Sequence, residues 1–282
     1  MAITQYTSIS SYINTIYERA VLVAREGGLM PGLVSNYSAQ GRMVRTFVTR
    51  AQVSYETVAD ATDYSNPTTF SKSSIGTLTP AEVIAQFVLT DANIESDPDG
   101  ARNQAAQELG EEAAKKVDTD LVGVFTSFSD DTGTANSAFS TTILAGAVVA
   151  ARAAYAPTNQ LRAVLHPYHW HDVWLEAGVP AATYANKDAM TSKALNDYFM
   201  GSYLGIPVYT SMNIDVDGSD DAISAVFAPQ ALALDIRRPF RLEYERDASL
   251  RAWELNATMV YAVGLGERPT WGIKMTADAT AP

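Results

Sequence analysis

The clearest alternation of apolar and polar positions lies in residues 97–128. Ala105, Leu109, Ala113, Val117, Leu121 and Phe125 recur every four residues, and Val124 and Phe128 widen the stripe at its far end. That spacing is one face of a helix. Gln107, Glu108, Glu111, Glu112, Lys115, Lys116, Asp118 and Asp120 make the opposite, polar face. Asp97 can cap the start, Pro98 suits the first helical position, and Asp99 sits where the helix dipole favours an anion. Glu111–Lys115 and Glu112–Lys116 have the spacing of acid-before-base pairs. Gly100, Gly110 and Gly123 each cost about 1 kcal/mol relative to alanine. The helix would run roughly 45 Å. Its stripe starts with alanines and ends with Leu, Val and Phe, so the thin end should pack on backbone and the thick end should enter a core.

The rest of the chain is arranged around that helix. Residues 12–26 carry an apolar face (Ile13, Ile16, Tyr17, Ala20, Val21, Ala24) and stop at Gly27-Gly28, which predicts a short helix. Nothing in residues 1–40 makes a core, so this stretch reads as an arm. Residues 42–58 are strand-like, 59–76 read as a polar turn region, and 82–89 return as an apolar strand. Together they predict a long two-stranded excursion. An isolated hairpin is marginal in water, so it should lie on another surface, in the same chain or a neighbour.

After the long helix, residues 142–155 predict a buried helix ended by Pro157. A short strand at 161–165 leads through His166-Pro167 into a helix around 170–177. Residues 192–200 predict a further helix, 205–209 a short strand, 215–221 an acidic turn and 223–234 an apolar strand. Phe240, Leu242 and Tyr244 alternate with Arg241, Glu243 and Glu245, as in a half-buried strand. Another strand follows at 250–263, and 276–282 read as a loose tail.

At 282 residues the chain can bury a large core as one elaborate domain or two. No apolar run approaches the roughly 20 residues that span a membrane, and no signal peptide opens the sequence, so no membrane partner is expected. With no cysteine there is no disulfide or thiolate zinc site. The net charge is −12, unevenly spread. Residues 1–50 carry five arginines and two glutamates, whereas residues 51–135 hold fifteen acidic and four basic side chains. An acidic chain is a poor general nucleic-acid binder. The basic first fifth could instead meet the acidic middle of another copy.

Candidate chemistry is sparse. His166, His169 and His171 in HPYHWH are near enough in sequence to suggest zinc or copper. However, Pro167 follows His166 and turns it away from the other two. The simpler reading is a strand-to-helix turn with Trp170 and Val173 in the core. DVDGSDD at 215–221 has the alternating acids of a calcium loop, but its glycine is at the fourth place rather than the sixth, and Val226 stands where a bidentate glutamate belongs. No phosphate loop, nucleophile elbow or nucleotide fingerprint is present. No catalytic residue, metal or cofactor is assigned.

The order of elements is more informative. AVLHPYHWHDVWL (163–175), LGIPVYTSMNI (204–214) and VFAPQALALDIRRPFRLEYERD (226–247) occur in one succession. In that order, across residues 10–275, the chain resembles the major capsid proteins of tailed bacteriophages, whose fold is shared with the herpesvirus capsid floor and with encapsulins. The resemblance implies an α+β fold with an N-terminal arm (1–35) and an extended β-hairpin loop (36–95). A spine helix (96–128) would lie in a peripheral domain, followed by a mixed α/β axial domain (129–235). Peripheral-domain strands and the C-terminal tail (236–282) would complete the chain.

The implied function is structural, not enzymatic. Copies would self-assemble into pentamers and hexamers, forming the icosahedral head shell around a double-stranded DNA genome. Scaffolding, portal and decoration proteins would be further partners, DNA would be enclosed without sequence-specific binding, and assembly would take place in the host cytoplasm. The extended loop would lie over a neighbouring subunit, with Arg42, Arg45 and Arg50 meeting that neighbour's acidic residues and Lys72 also at the interface. Some family members crosslink a loop lysine to a neighbour's asparagine. Lys72 is the only lysine in the loop region, no acceptor set is evident around it, and no crosslink is expected. The arm is shorter than the family's cleaved prodomains, which favours a separate scaffold. Two alternatives remain: an encapsulin-type compartment, and a metal-binding enzyme using His166, His169 and His171.

Overall fold

The computed structural model describes residues 28–38, 44–50, 55–65, 67, 69, 72–96, 98–176 and 199–281. The helix expected at 12–26 lies outside them, as does most of the one expected at 192–200. Phe199 and Met200 open a strand instead, because they lead into a tight turn at Leu204-Gly205.

The long helix forms. After a short helix α1 (Asp91–Ser96), α2 runs Pro98–Gly123 and tightens into a 3₁₀ turn at Val124–Ser127. Its alanine end carries Ala105 and Leu109 onto Leu89, Trp253, Leu255 and Ala257. Its thick end carries Leu121, Val122 and Phe125 into a second cluster with Met30, Phe128, Phe227 and Leu234. Asp118 corrects the expected polar face, being only 3% exposed. The chain around the 3₁₀ turn Met30–Gly32 crosses α2 there, and the carboxylate accepts the N–H groups of Leu29 and Met30 at 2.9 and 3.1 Å. Those donors have no partner within their own short turn. The surface ion pairs also differ from expectation: Lys115 approaches Glu112 at 3.6 Å and Lys116 approaches Asp120 at 2.6 Å.

A four-stranded sheet lies against α2. Its order is β1 (Ser35–Tyr37), β10 (Leu232–Asp247), β11 (Ala252–Leu265) and β4 (Ala81–Thr90). β10 and β11 form a long antiparallel ribbon whose register slips between Ile236 and Arg241. Pro239 sits in that interval, and a proline has no N–H to give the ladder.

The two-stranded excursion needs a correction. β2 (Arg45–Arg50) pairs with β3 (Lys72–Leu78), whereas the strand expected as its partner, β4, pairs with β11. Ser73, Ser74 and Gly76 read as turn residues in sequence, yet they belong to a strand with mostly exposed side chains. Thr79-Pro80 then separates β3 from β4, and Phe87 and Leu89 of β4 face the cluster on α2.

A second sheet of six strands has the order β5-β12-β9-β6-β8-β7. These are β5 (Asp130–Asp131), β6 (Arg162–Leu165), β7 (Phe199–Tyr203), β8 (Ile206–Thr210), β9 (Asp221–Phe227) and β12 (Gly272–Asp278). Helices α3 (Thr141–Ala153) and α4 (Pro167–Glu176) pack on it through Leu144, Ala147, Val148 and Val173. Ser140 caps α3, accepting the Ile143 N–H.

The loose tail is also corrected, since residues 276–278 complete β12 between β5 and β9. Ile273, Met275 and Ala277 are fully buried and alternate with partly exposed Lys274 and Thr276. At Gly272 an added Cβ would lie 2.1 Å from the Phe128 ring, so only glycine allows β12 this close to the end of the spine.

Candidate assembly surface

The β2–β3 hairpin is buried at its root and exposed beyond it. Phe47 and Leu78 pack on Ala233 and Ala262, and Phe47 lies 5.4 Å from the Tyr37 ring. Arg45 Nε is 3.0 Å from Asp235 Oδ2, and its guanidinium stands 4.7 Å over Tyr37. Asp235 has a fully buried side chain and is also held by Arg237 at 3.1 Å. Among the described residues beyond Phe47 exposure rises: Val48 is 49% exposed, and every residue in 55–65 is exposed, with Tyr55 fully so. An exposed segment carrying Tyr55, Val58 and Tyr64 thus lies between the two strands of a hairpin with a buried root.

The sequence-derived contact residues divide. Arg42 lies outside the described residues. Arg45 joins its own chain's Asp235 at the hairpin root. The strand register sets Arg50 across from Lys72, whose side chain is exposed. Sequence reasoning missed Asp235, Arg237 and Asp118. The signal for Asp235 was present: a lone acid in the apolar run LALDI, with two arginines following.

The histidines do structural work. His169 is completely buried on α4 and stacks on Phe139, with ring centroids 4.5 Å apart. Its Nε2 is 3.1 Å from the Ala277 carbonyl, an acceptor only, so Nε2 carries the proton. Its Nδ1 then accepts the Ser224 hydroxyl at 2.7 Å, while Ser224 Oγ accepts the His166 N–H at 3.0 Å. Burial holds the His169 pKa down at about 4, and it lowers His166 as well. His171 is on the surface beside Asp172. Both ring nitrogens of His169 are therefore engaged within the fold. Among the described residues no three His, Cys, Asp or Glu side chains converge as a metal site. The acidic turn closes on itself, with Asp217 Oδ1 accepting the N–H groups of Ser219 and Asp221.

Residues 77–275 match the profile of a family described as phage capsid protein, which is more than two thirds of the chain. The chain belongs to the phage capsid protein family. No curated protein matches it.

Solved structures agree on the fold of this capsid protein. One from Mycobacterium phage Che8 is 21% identical, covers 88% of this chain and 90% of its own, and superposes with a TM-score of 0.68. The capsid of Ralstonia phage GP4 is 13% identical over 89% and 88% of the two chains, with a TM-score of 0.68. A virus-like particle from Pyrococcus furiosus is 10% identical over 94% and 99%, with a TM-score of 0.59. The capsid protein is thus a structural, shell-forming component of a phage head, and it assembles with copies of itself. The metal-enzyme reading is not favoured, and the capsid family implies a structural rather than catalytic role.

Proposed function

We propose that this capsid protein forms pentamers and hexamers that close into an icosahedral shell around double-stranded DNA. In that shell the four-stranded sheet and α2 form the peripheral domain. Residues 129–235, joined by β12, form the axial domain, and residues 1–35 act as an arm. The exposed segment 55–65 rests on a neighbouring subunit, steered there by Arg42, Arg50 and Lys72. Acidic groups for them are abundant on the exposed side of α2, at Glu108, Glu111 and Glu112. The observation that carries this reading is the contrast between the buried hairpin root and the exposed residues 55–65 beyond it. Surface of that kind gains stability only when a partner covers it.

Assembly takes place in the host cytoplasm with scaffolding and portal proteins, and decoration proteins join the finished shell. A net charge of −12 keeps the subunit from clinging to DNA non-specifically. The test is the triple charge reversal Arg42→Glu, Arg50→Glu and Lys72→Glu, read by sedimentation and electron microscopy across a salt series. Loss of shells, or a weakened salt dependence, is expected. Normal shells with unchanged salt dependence would refute the proposed contact.

A further inference from the structure

Two large apolar side chains near one end of the six-stranded sheet sit on backbone that disfavours them. Among the described residues, six other than glycine have positive φ: Ala61, Asn136, Tyr155, Leu204, Asp220 and Arg251. Asn and Asp tolerate this region, whereas bulky residues there are uncommon. Tyr155 and Leu204 are the large apolar members of the set.

Tyr155 follows α3 with φ +63°. Its N–H bonds to the Arg152 carbonyl at 2.9 Å, and the next N–H, from Ala156, bonds to the Ala151 carbonyl at 3.1 Å. This is the Schellman ending of a helix, in which glycine usually takes the left-handed place. Leu204 (φ +51°) and Gly205 (φ +79°) form the two-residue turn between β7 and β8, closed by the pair Tyr203–Ile206. Positive φ at both centres is the type I′ turn, which prefers Asn-Gly.

The two residues belong to one surface. Arg152 Nη2 donates to the Leu204 carbonyl at 3.4 Å and so joins the end of α3 to the turn. Tyr155 is 90% exposed and Leu204 52%, and Val149, one turn back along α3, is 63% exposed. The strain therefore holds a tyrosine and a leucine in water, where the isolated subunit gains nothing from them. An observed outlier of this kind is grounds for a functional hypothesis.

Building on the self-assembly reading above, we infer that Val149, Arg152, Tyr155 and Leu204 form a knob that seats on a second copy of this chain. The complementary surface is on the same sheet. β8 starts beside Leu204 and runs five residues, roughly 16 Å, away from it. Beyond its far end lie Met212, 72% exposed, and the exposed carboxylates Asp215, Asp217 and Asp220. One end thus offers apolar surface with a cation, and the other offers apolar surface with anions. Copies packed head to tail bring the two together, and contacts of that kind close into rings.

The test is the double variant Leu204→Asn/Tyr155→Asn in the full-length chain. Asparagine tolerates left-handed backbone, and at position 204 it restores the preferred Asn-Gly turn. Urea titration of the subunit should show a midpoint equal to or above wild type. Light scattering and sedimentation velocity should show the concentration threshold for assembly raised at least ten-fold. Assembly within two-fold of the wild-type threshold overturns the inference, as does a fall in subunit stability, which would assign these residues to the fold. Wild-type protein that never self-associates, even with its scaffold, overturns the proposed function and this inference with it.

Discussion

Replacing His169 separates a structural histidine from a ligand, and its effect can be worked from the geometry. The ring is fully buried, stacked on Phe139, and bonded through both nitrogens to Ser224 and the Ala277 carbonyl. Its pKa is near 4 in the folded chain against 6.5 for an ordinary histidine, with burial as the main cause. Protons therefore bind the unfolded chain more readily between those values, and stability falls as pH drops through that window. A pKa gap of this size costs about 2 kcal/mol by pH 5 and about 3 kcal/mol below pH 4. His169→Gln can still donate to Ala277 and accept from Ser224, but it does not titrate. It should lose about 1–2 kcal/mol at neutral pH, through the ring stacking and altered packing. Urea titrations of the purified subunit at about pH 7 and pH 5 measure both effects. The expected result is that wild type loses about 2 kcal/mol more than the variant on acidification. The difference between the two proteins isolates His169 together with its coupling to His166 and Asp278. Parallel losses would show that His169 is not held neutral by this network and would refute the reasoning.

Asp118→Ala removes the acceptor for the Leu29 and Met30 N–H groups and should cost about 2–3 kcal/mol in urea titration, with Asp118→Asn costing about half as much. Burial raises the Asp118 pKa, so its contribution runs opposite to that of His169: stability is lost as pH rises through the raised value. Asp118→Asn should abolish that slope. Arg45→Ala leaves Asp235 paired with Arg237 alone and removes the cation over Tyr37. It should weaken the hairpin root by about 1–2 kcal/mol, seen as faster proteolysis within residues 55–65 while the main urea transition moves little.

Much of this architecture follows from local pattern. The four-residue stripe of residues 105–125 specifies a helix whatever surrounds it, because only one helical face can carry those side chains together. The alanine run of α3 and the alternation in β10 are similarly self-contained. The order of these elements carried the family resemblance, although no single motif is catalytic. Pairing was not legible. Whether β2 joins β3 or β4 depends on which edge is free and which face is buried, and the polar side chains of β3 disguised it as a turn. The sequence 272–278 alternates as a strand should, but its Thr, Ala and Asp resemble a tail until β9 supplies the partner ladder. Asp118, Asp235 and His169 look like surface residues by type. Each is buried because a distant segment brings donors or acceptors to it: Leu29 and Met30 to Asp118, Arg45 to Asp235, Ala277 to His169. The sequence by itself determined the strongly patterned elements, α2, α3 and β10, since their apolar repeats lie within a few residues along the chain. Only the tertiary structure decided which polar groups are satisfied inside and which apolar ones are left outside, since those partners lie tens to hundreds of residues apart along the chain.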